Sequence, residues 1–360
     1  MYTRDKALHY PACVTNDVAL MTLDKLTFWW LGAYFTTTIN ISSANLSLYY
    51  MATVLITGGT GLIGQALTKI LLAQGYHVII LTRNAAGKKA TQNLSFAQWD
   101  VAAQTIDSTA MQQADYIIHL AGAGVAERRW TTKRKQEIVD SRVQSSALIL
   151  KTLRETDNKV RAVISASAIG WYGADPTIPN PSAFTETDNA AADFLGTTCV
   201  QWEQSIQPLT ELNKRLVIFR TGIVLSNKGG AYAEFKKPLR FGVASVLGSG
   251  KQIISWIHID DLVNLYIAAI ENKTWQGVYN AVAPHPVSNK TLIQTIAKQR
   301  GGFYITAPVP AIALKGALGE MSIEVLKSTT VSSRKIEQAG YTFSFPHIEA
   351  AVQDLQKNAS

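Results

Sequence analysis

From residue 53 onward the chain alternates short apolar runs with stretches of helical spacing. Val54 to Thr57 is a β-branched run of the kind that fills a strand covered on both faces. It leads into Gly58-Gly59-Thr60-Gly61-Leu62-Ile63-Gly64, and apolar residues then recur at Leu62, Ile63, Ala66, Leu67, Ile70 and Leu71, one face of a helix. Gly75 closes that helix, and Val78 to Leu81 predicts a second buried strand. Strand, glycine turn, helix and strand within about thirty residues make a βαβ unit. Further strands are predicted to end at Asp100, to cover Tyr116 to Leu120 and Val163 to Ser167, and to end at Arg220-Thr221-Gly222. A helix is predicted over 193–206. Another opens at Asp260-Asp261, where carboxylates suit the positive end of the helix dipole. Pro284, Pro286, Pro308 and Pro310 mark turns in a smaller C-terminal part. The order predicts a doubly wound parallel α/β sheet with helices on both faces and a smaller α/β lobe.

The first fifty residues do not share this pattern. Arg4, Lys6 and Lys25 balance Asp5, Asp17 and Asp24, so the net charge of +8 resides in 51–360. The apolar stretch Leu26 to Phe35 spans ten residues, short of the ~20 that cross a bilayer, and has neither a basic region before it nor a cleavage site after it. Residues 1–50 are expected to be an extension with no assigned chemistry, Met51 being a natural start for the folded part. Phe28, Trp29 and Trp30 suit either a peripheral membrane or partner contact or packing on the neighbouring domain. The absence of export signals points to the cytoplasm.

With 47% hydrophobic and 17% charged residues in 360, the chain has the core for two domains, and general disorder is excluded. Two cysteines, Cys13 and Cys199, exclude a disulfide scaffold or a cysteine-rich metal module, and the six scattered histidines show no metal-ligand spacing. The positive charge suits anionic small molecules. No Lys/Arg block or aromatic-basic repeat favours nucleic acid.

The glycine turn carries the first chemistry. A side chain at Gly58 or Gly61 would block the turn or the approach of a pyrophosphate, and one at Gly64 would push the helix off the sheet. The helix start at Leu62 and Ile63 then offers free N–H groups to phosphates. This is the context of a Rossmann dinucleotide site. At the end of the second strand, where an NAD site usually places a carboxylate, stand Thr82 and Arg83 with Lys88 and Lys89 nearby. Arg83 can grip a 2′-phosphate, so the expected cofactor is NADP(H). The alternative is a solvated basic loop. The small residues Ala121-Gly122-Ala123-Gly124 allow the backbone close to the cofactor.

TGGTGLIG (57–64), HLAGAGVAERRW (119–130), SASAIGWYG (165–173), DFLGTTCVQWE (193–203), FRTGIVL (219–225), SWIHIDDLV (255–263) and the stretch 331–355 occur in one order. In these the chain resembles extended short-chain dehydrogenase/reductases, and more closely their bacterial epimerase-family branch, over 51–357. The resemblance implies a Rossmann domain over 51–225 and 255–283, and a substrate lobe over 226–254 and 284–360. It implies an NADP(H)-dependent oxidoreductase or epimerase acting on a small polar, nucleotide-linked or sugar-like substrate. Homodimers are common among similar folds, although no interface shows in the sequence. Asp100 is expected either to accept from the adenine amino group or to serve a plain turn. The loop carrying Arg128, Arg129 and Trp130 borders the site in this picture, and is a solvated basic turn otherwise.

The usual mechanism of that superfamily needs a Tyr and, four residues later, a Lys on one helix. With Glu203 set at the acidic residue that follows the dyad, those positions fall on Leu195 and Cys199, and neither side chain can do the work. Ser167 and Tyr172 remain as catalytic candidates, with Tyr172 as replacement acid/base or, alternatively, packed against cofactor or Trp171. Cys199 is a weaker candidate nucleophile or a small buried residue. Residues 229–250, with Lys228, Lys236, Lys237, Arg240 and Lys251, read as a flexible cationic flap for an anionic substrate or as a solvated loop. His258 is a packed histidine or a substrate contact. The competing function is an NADP(H) sensor or scaffold that has lost proton transfer.

Overall fold

The computed structural model describes residues 52–357, so the readings of 1–50 lie outside the described residues. The first half runs β1 (Thr53–Thr57), α1 (Leu62–Ala73), β2 (His77–Thr82), β3 (Leu94–Asp100), β4 (Thr105–Ile106), α2 (Ser108–Gln113), β5 (Tyr116–His119), α3 (Thr132–Glu155), β6 (Ala162–Ala168), α4 (Phe194–Ile206) and β7 (Arg215–Thr221). The second half runs β8 (Ile223–Leu225), α5 (Gly230–Lys236), β9 (Val243–Leu247), β10 (Ile253–Ile254), β11 (Trp256–His258), α6 (Ile259–Glu271) and β12 (Gly277–Ala281). It closes with β13 (Val287–Ser288), α7 (Asn289–Arg300), β14 (Ile305–Val309), α8 (Ala311–Leu318), α9 (Ser322–Leu326), α10 (Arg334–Gln338) and α11 (Ile348–Lys357).

Eight strands form the main sheet in the order β12-β7-β6-β5-β1-β2-β3-β4, parallel except for the antiparallel edge β4. The chain moves outward from β1 through β2 and β3, then returns to β5 on the other side. The strand order therefore reverses between β1 and β5, which opens a crevice at their carboxyl ends. Side chains alternate across the sheet. Val54, Ile56, Ile80 and Val217 face α1 and α6, packing with Leu67, Leu71, Leu262 and Tyr266. Leu55, Ile79, Ile117, Val163 and Ile218 face the other layer, with Met111, Leu148 and Leu209. Both faces are dry, which explains the near-continuous apolar strands.

The region expected to be a flexible flap is folded. Gly229 and Gly230, at φ +149° and +71°, turn the chain into α5, and Tyr232, Leu239, Ala244 and Val246 enter a third core. Trp256, Leu292, Ile296, Val352 and Leu355 complete that core. The many glycines mark its tight turns, and the cations lie on its outside. No helix among the described residues is long and apolar enough to cross a membrane.

Candidate functional site

The crevice is floored by the turn from β1 into α1. A Cβ on Gly58 (φ +69°) would sit 2.9 Å from the Leu120 carbonyl, and one on Gly64 would sit 2.4 Å from the Gly58 oxygen. The glycines hold the turn flat against the end of β5 and α1 tight against the turn. Gly61 precedes α1 with no side-chain cap, so the first-turn N–H groups of Leu62, Ile63 and Gly64 have no partner among the described residues. Gln65 fixes the turn by donating to the Thr60 carbonyl at 2.7 Å. This hollow, which a Cβ would fill, and this ring of N–H donors fit the pyrophosphate of a dinucleotide. The Leu62 side chain lies within 3.4 Å of where a Cβ on Gly230 would be, so the turn before α5 meets the start of α1.

Beside the glycine turn, β2 ends in Thr82, and the exposed Arg83 follows at once, its side chain without a partner among the described residues. Asp100 at the end of β3 accepts from Ala102 N and Ala103 N at 2.9 and 3.0 Å through one oxygen, so that oxygen shapes the turn. On the other side, Ala121 N and Leu120 N both donate to Thr57 Oγ1 at 3.1 Å. The Thr57 hydroxyl proton is thereby directed at His119 Nδ1, 2.7 Å away. His119 Nε2 then faces Ser146 Oγ at 3.2 Å, and burial pulls its pKa down to about 3. This neutral histidine braces the backbone that presents Ala121 and the exposed Gly122 to the crevice.

At the end of β6 both catalytic candidates are enclosed. Tyr172 is fully buried: its hydroxyl donates to Asn280 Oδ1 at 2.7 Å and accepts from Arg220 Nη1 at 3.1 Å. Burial pushes its pKa up to about 12, against the pull of Arg220, and its ring stacks on Phe184 at 5.3 Å. A phenol so enclosed does not present its proton to the crevice, and the geometry argues against it as the acid/base. Ser167, 3% exposed, donates to Glu203 Oε1 at 2.7 Å. Glu203 takes both Nε and Nη2 of Arg220 at 2.9 Å, a buried two-pronged pair that sequence reasoning missed. Its signal was a lone acid on the apolar side of α4 opposite a strand arginine. Arg220 also donates to the Glu186 carbonyl at 3.2 Å and stacks 3.5 Å over Trp171, so it pins the loop between β6 and α4.

Helix α4 is capped by Asp193, which accepts from Gly196 N at 2.8 Å. A Cβ on Gly170 would lie 3.1 Å from Leu195 Cβ and 3.8 Å from Cys199 Sγ, so positions 195 and 199 do face the turn after β6. Burial raises the Cys199 thiol to about 12, which keeps it protonated and unfit as a nucleophile.

The remaining candidates are scattered. Trp130 donates to the Val125 carbonyl at 2.8 Å and packs edge-on to Phe194, ring centres 4.9 Å apart. With Lys135, Gln136, Val139 and Glu320 these two rings line an open depression of about 570 Å³ beside the first turn of α4. Arg128 is exposed on the same loop, and its neighbour Arg129 donates to the Ala317 and Gly316 carbonyls of α8. Lys251 is exposed in the turn after β9, and no contact links it to the glycine turn or to Trp130.

His258 follows the packed one of its two readings and not the substrate contact. It is 1% exposed and caps α6, its Nδ1 accepting from Asp260 N at 3.2 Å, while Nε2 lies 3.4 Å from Asp354 on α11. A ring so enclosed makes no substrate contact. His258, Asp260 and Asp354 bring their ligand atoms within 4.8 Å of one another. The only lone pair of the neutral ring is spent on Asp260 N–H, which leaves Nε2 carrying hydrogen and none for a metal ion.

Residues 54–197 match the model of the NAD dependent epimerase/dehydratase family, and residues 309–355 match a domain of unknown function, DUF1731. An epimerase family protein of Staphylococcus aureus is 34% identical over 308 residues, covering 85% of this chain and all of that protein. The chain belongs to the NAD dependent epimerase/dehydratase family. The family protein YfhF of Bacillus subtilis is likewise 34% identical, over 84% of this chain and 97% of its own. Among solved structures, human epimerase family protein SDR39U1 with NADPH superposes with a TM-score of 0.75 at 28% identity, covering 85% of this chain and 99% of that one. A nucleoside-diphosphate sugar epimerase from Corynebacterium glutamicum gives 0.66 at 32% identity, over 84% of this chain and 58% of its own. The Rossmann fold and the small C-terminal module expected from the sequence are those of this family.

Proposed function

We propose that the chain binds NADP(H) across the carboxyl ends of β2, β1 and β5 and exchanges hydride with a small polar substrate of sugar or sugar-nucleotide type. The observation that carries the reading is the glycine hollow with N–H groups unpaired among the described residues, flanked by an Arg83 likewise unpartnered among them, where a carboxylate would reject a 2′-phosphate. The human relative solved with NADPH supports the choice of cofactor. Gly58, Gly61 and Gly64 leave room for the pyrophosphate, and the N–H groups of Leu62, Ile63 and Gly64 donate to it. Arg83 holds the 2′-phosphate, and Ala121 and Gly122 admit the nicotinamide half. When bound, the cofactor supplies a hydride donor or acceptor at its nicotinamide ring. The aromatic wall of Trp130 and Phe194 offers a sugar ring an apolar face, with the Lys135–Glu320 ion pair and Gln136 as polar groups beside it.

A second reading rests on a specific observation. Tyr172 is sealed and Cys199 is held protonated, so the end of β6 lacks a crevice-facing acid/base. That arrangement suits a cofactor sensor that keeps the site and has given up proton transfer.

Titrating NADPH and NADH into the wild type and Arg83→Ala tests the cofactor assignment. The wild type should prefer NADPH, and the variant should lose about tenfold or more in NADPH affinity with NADH unchanged. Equal losses for both would reject the role of Arg83. Deuterium transfer from labelled NADPH to a host metabolite extract supports the enzyme. No transfer, with a change of oligomeric state on NADPH binding, supports the sensor.

A further inference from the structure

Between α3 and α4 the structure holds a cation that the site described so far does not use. Arg142 on α3 reaches back to the turn after β5, where its Nη1 donates to the Ala123 carbonyl at 3.0 Å and to the Ile138 carbonyl at 2.8 Å. The guanidinium carbon sits 4.9 Å from the Trp202 ring centre on α4. A Cβ on Gly122 would come within 3.1 Å of that carbon. The group therefore lies directly behind the exposed glycine that lines the crevice.

These contacts use the two hydrogens of Nη1 alone. Nε and Nη2 have no acceptor among the described residues, and no carboxylate pairs with Arg142. Its neighbours show the contrast: Arg134 has Glu127 and Glu137, and Arg220 has Glu203. The nearby Cys199 thiol is protonated and is no counter-ion. Nε and Nη2 of Arg142 are not among the buried unpartnered atoms, so they reach solvent and stand open to a ligand at the crevice. Sheet order says which part of a ligand that is. Arg83 follows β2, the glycine turn follows β1, and Gly122 follows β5, one strand nearer β6. A dinucleotide laid from β2 across the switch point brings its nicotinamide ribose to the Gly122 side.

We propose that Arg142, delivered from α3, replaces the cation that α4 lacks at Cys199, and that its free N–H groups bind the hydroxyls of the nicotinamide ribose. Arg142 is thus a positioning residue for the reactive half of the cofactor. The inference rests on the NADP(H) reading above.

The test is calorimetric titration of the full chain with NADPH and with adenosine 2′,5′-bisphosphate, which carries the 2′-phosphate but no nicotinamide ribose. Arg142→Met should weaken NADPH about tenfold or more, the loss of one or two charge-assisted hydrogen bonds, and leave the bisphosphate within about twofold. Arg142→Lys keeps the cation and should recover part of the loss, with thermal melting confirming that both variants fold. Unchanged NADPH affinity in Arg142→Met overturns the inference, as does equal weakening of both ligands in Arg142→Met and Arg142→Lys. If the wild type binds neither ligand, the NADP(H) reading itself falls and takes this inference with it.

Discussion

The Glu203–Arg220 pair makes a quantitative prediction. Its side chains are 10% and 3% exposed, and two hydrogen bonds of 2.9 Å join them. Replacing Glu203 by Leu leaves a buried guanidinium with the Trp171 ring and, as hydrogen-bond partners among the described residues, the Tyr172 hydroxyl and the Glu186 carbonyl. Breaking such a pair from one side costs about 3–5 kcal/mol. For a chain of this size that corresponds to a fall in Tm of about 4–8 °C. Arg220→Met should cost a similar amount, because it strands the carboxylate with Ser167 alone. The double variant removes both charges, so its loss should be smaller than that of either single change, with a coupling of about 3 kcal/mol or more. Urea denaturation followed by tryptophan fluorescence reads all four proteins, and Trp171 and Trp202 lie close to the pair. Single losses below about 1 kcal/mol, or a double variant equal to their sum, would refute the reasoning.

Two further predictions concern the crevice. His119 is held neutral with a pKa lowered to about 3 by burial, against about 6.5 in the unfolded chain. Its contribution is fully present above pH ~6.5 and is lost as the pH falls toward 3, because the unfolded chain takes up the proton first. Between pH 7.5 and 5.0 this amounts to about 2 kcal/mol, and His119→Gln should lower the stability difference between those two pH values by that amount; an unaltered difference would rule it out. Gly64→Ala drives a Cβ to 2.4 Å from the Gly58 oxygen, whereas Gly61→Ala meets the same atom at 3.3 Å. The first should destabilise by about 1–3 kcal/mol and the second by less than about 1 kcal/mol, as judged by chemical denaturation, and the reverse order would contradict the account of the turn.

What was legible in the sequence was local. The β1–glycine turn–α1–β2 unit could be read because each of its residues answers to a neighbour within thirty positions. Chemistry that depends on distant partners was not. Tyr172 reads as a free phenol until β7 and β12 bring Arg220 and Asn280 to it from 48 and 108 residues away. His258 reads as either a substrate contact or a packed ring until Asp354 on α11 and Phe345 before it close against it. Asp261 reads as a dipole carboxylate, yet it accepts from Ser344 N at 2.8 Å and Phe345 N at 2.9 Å. The glycine-rich stretch after β8 looked mobile because glycines mark tight turns and mobile loops alike, and only its apolar residues Tyr232, Leu239 and Val246 tell them apart.

The C-terminal segment is stitched into the older part of the chain rather than laid on it. Ser255 donates to the Thr329 carbonyl at 2.8 Å and accepts from Val331 N at 2.9 Å, while Asp175 accepts from Ser328 Oγ, Thr330 N and Thr330 Oγ1 at 2.7–2.9 Å. On the ribosome the consequence is one of timing. Strands β1 to β7 can pair while the chain is still growing at ~5–20 residues per second, but the loop after β6 must wait, with Asp175 held only by Asn180 of the same loop among the described residues, for partners made more than 150 positions later. A stalled or truncated chain would therefore carry a finished nucleotide crevice next to an open, unanchored loop, the form that quality control would meet first.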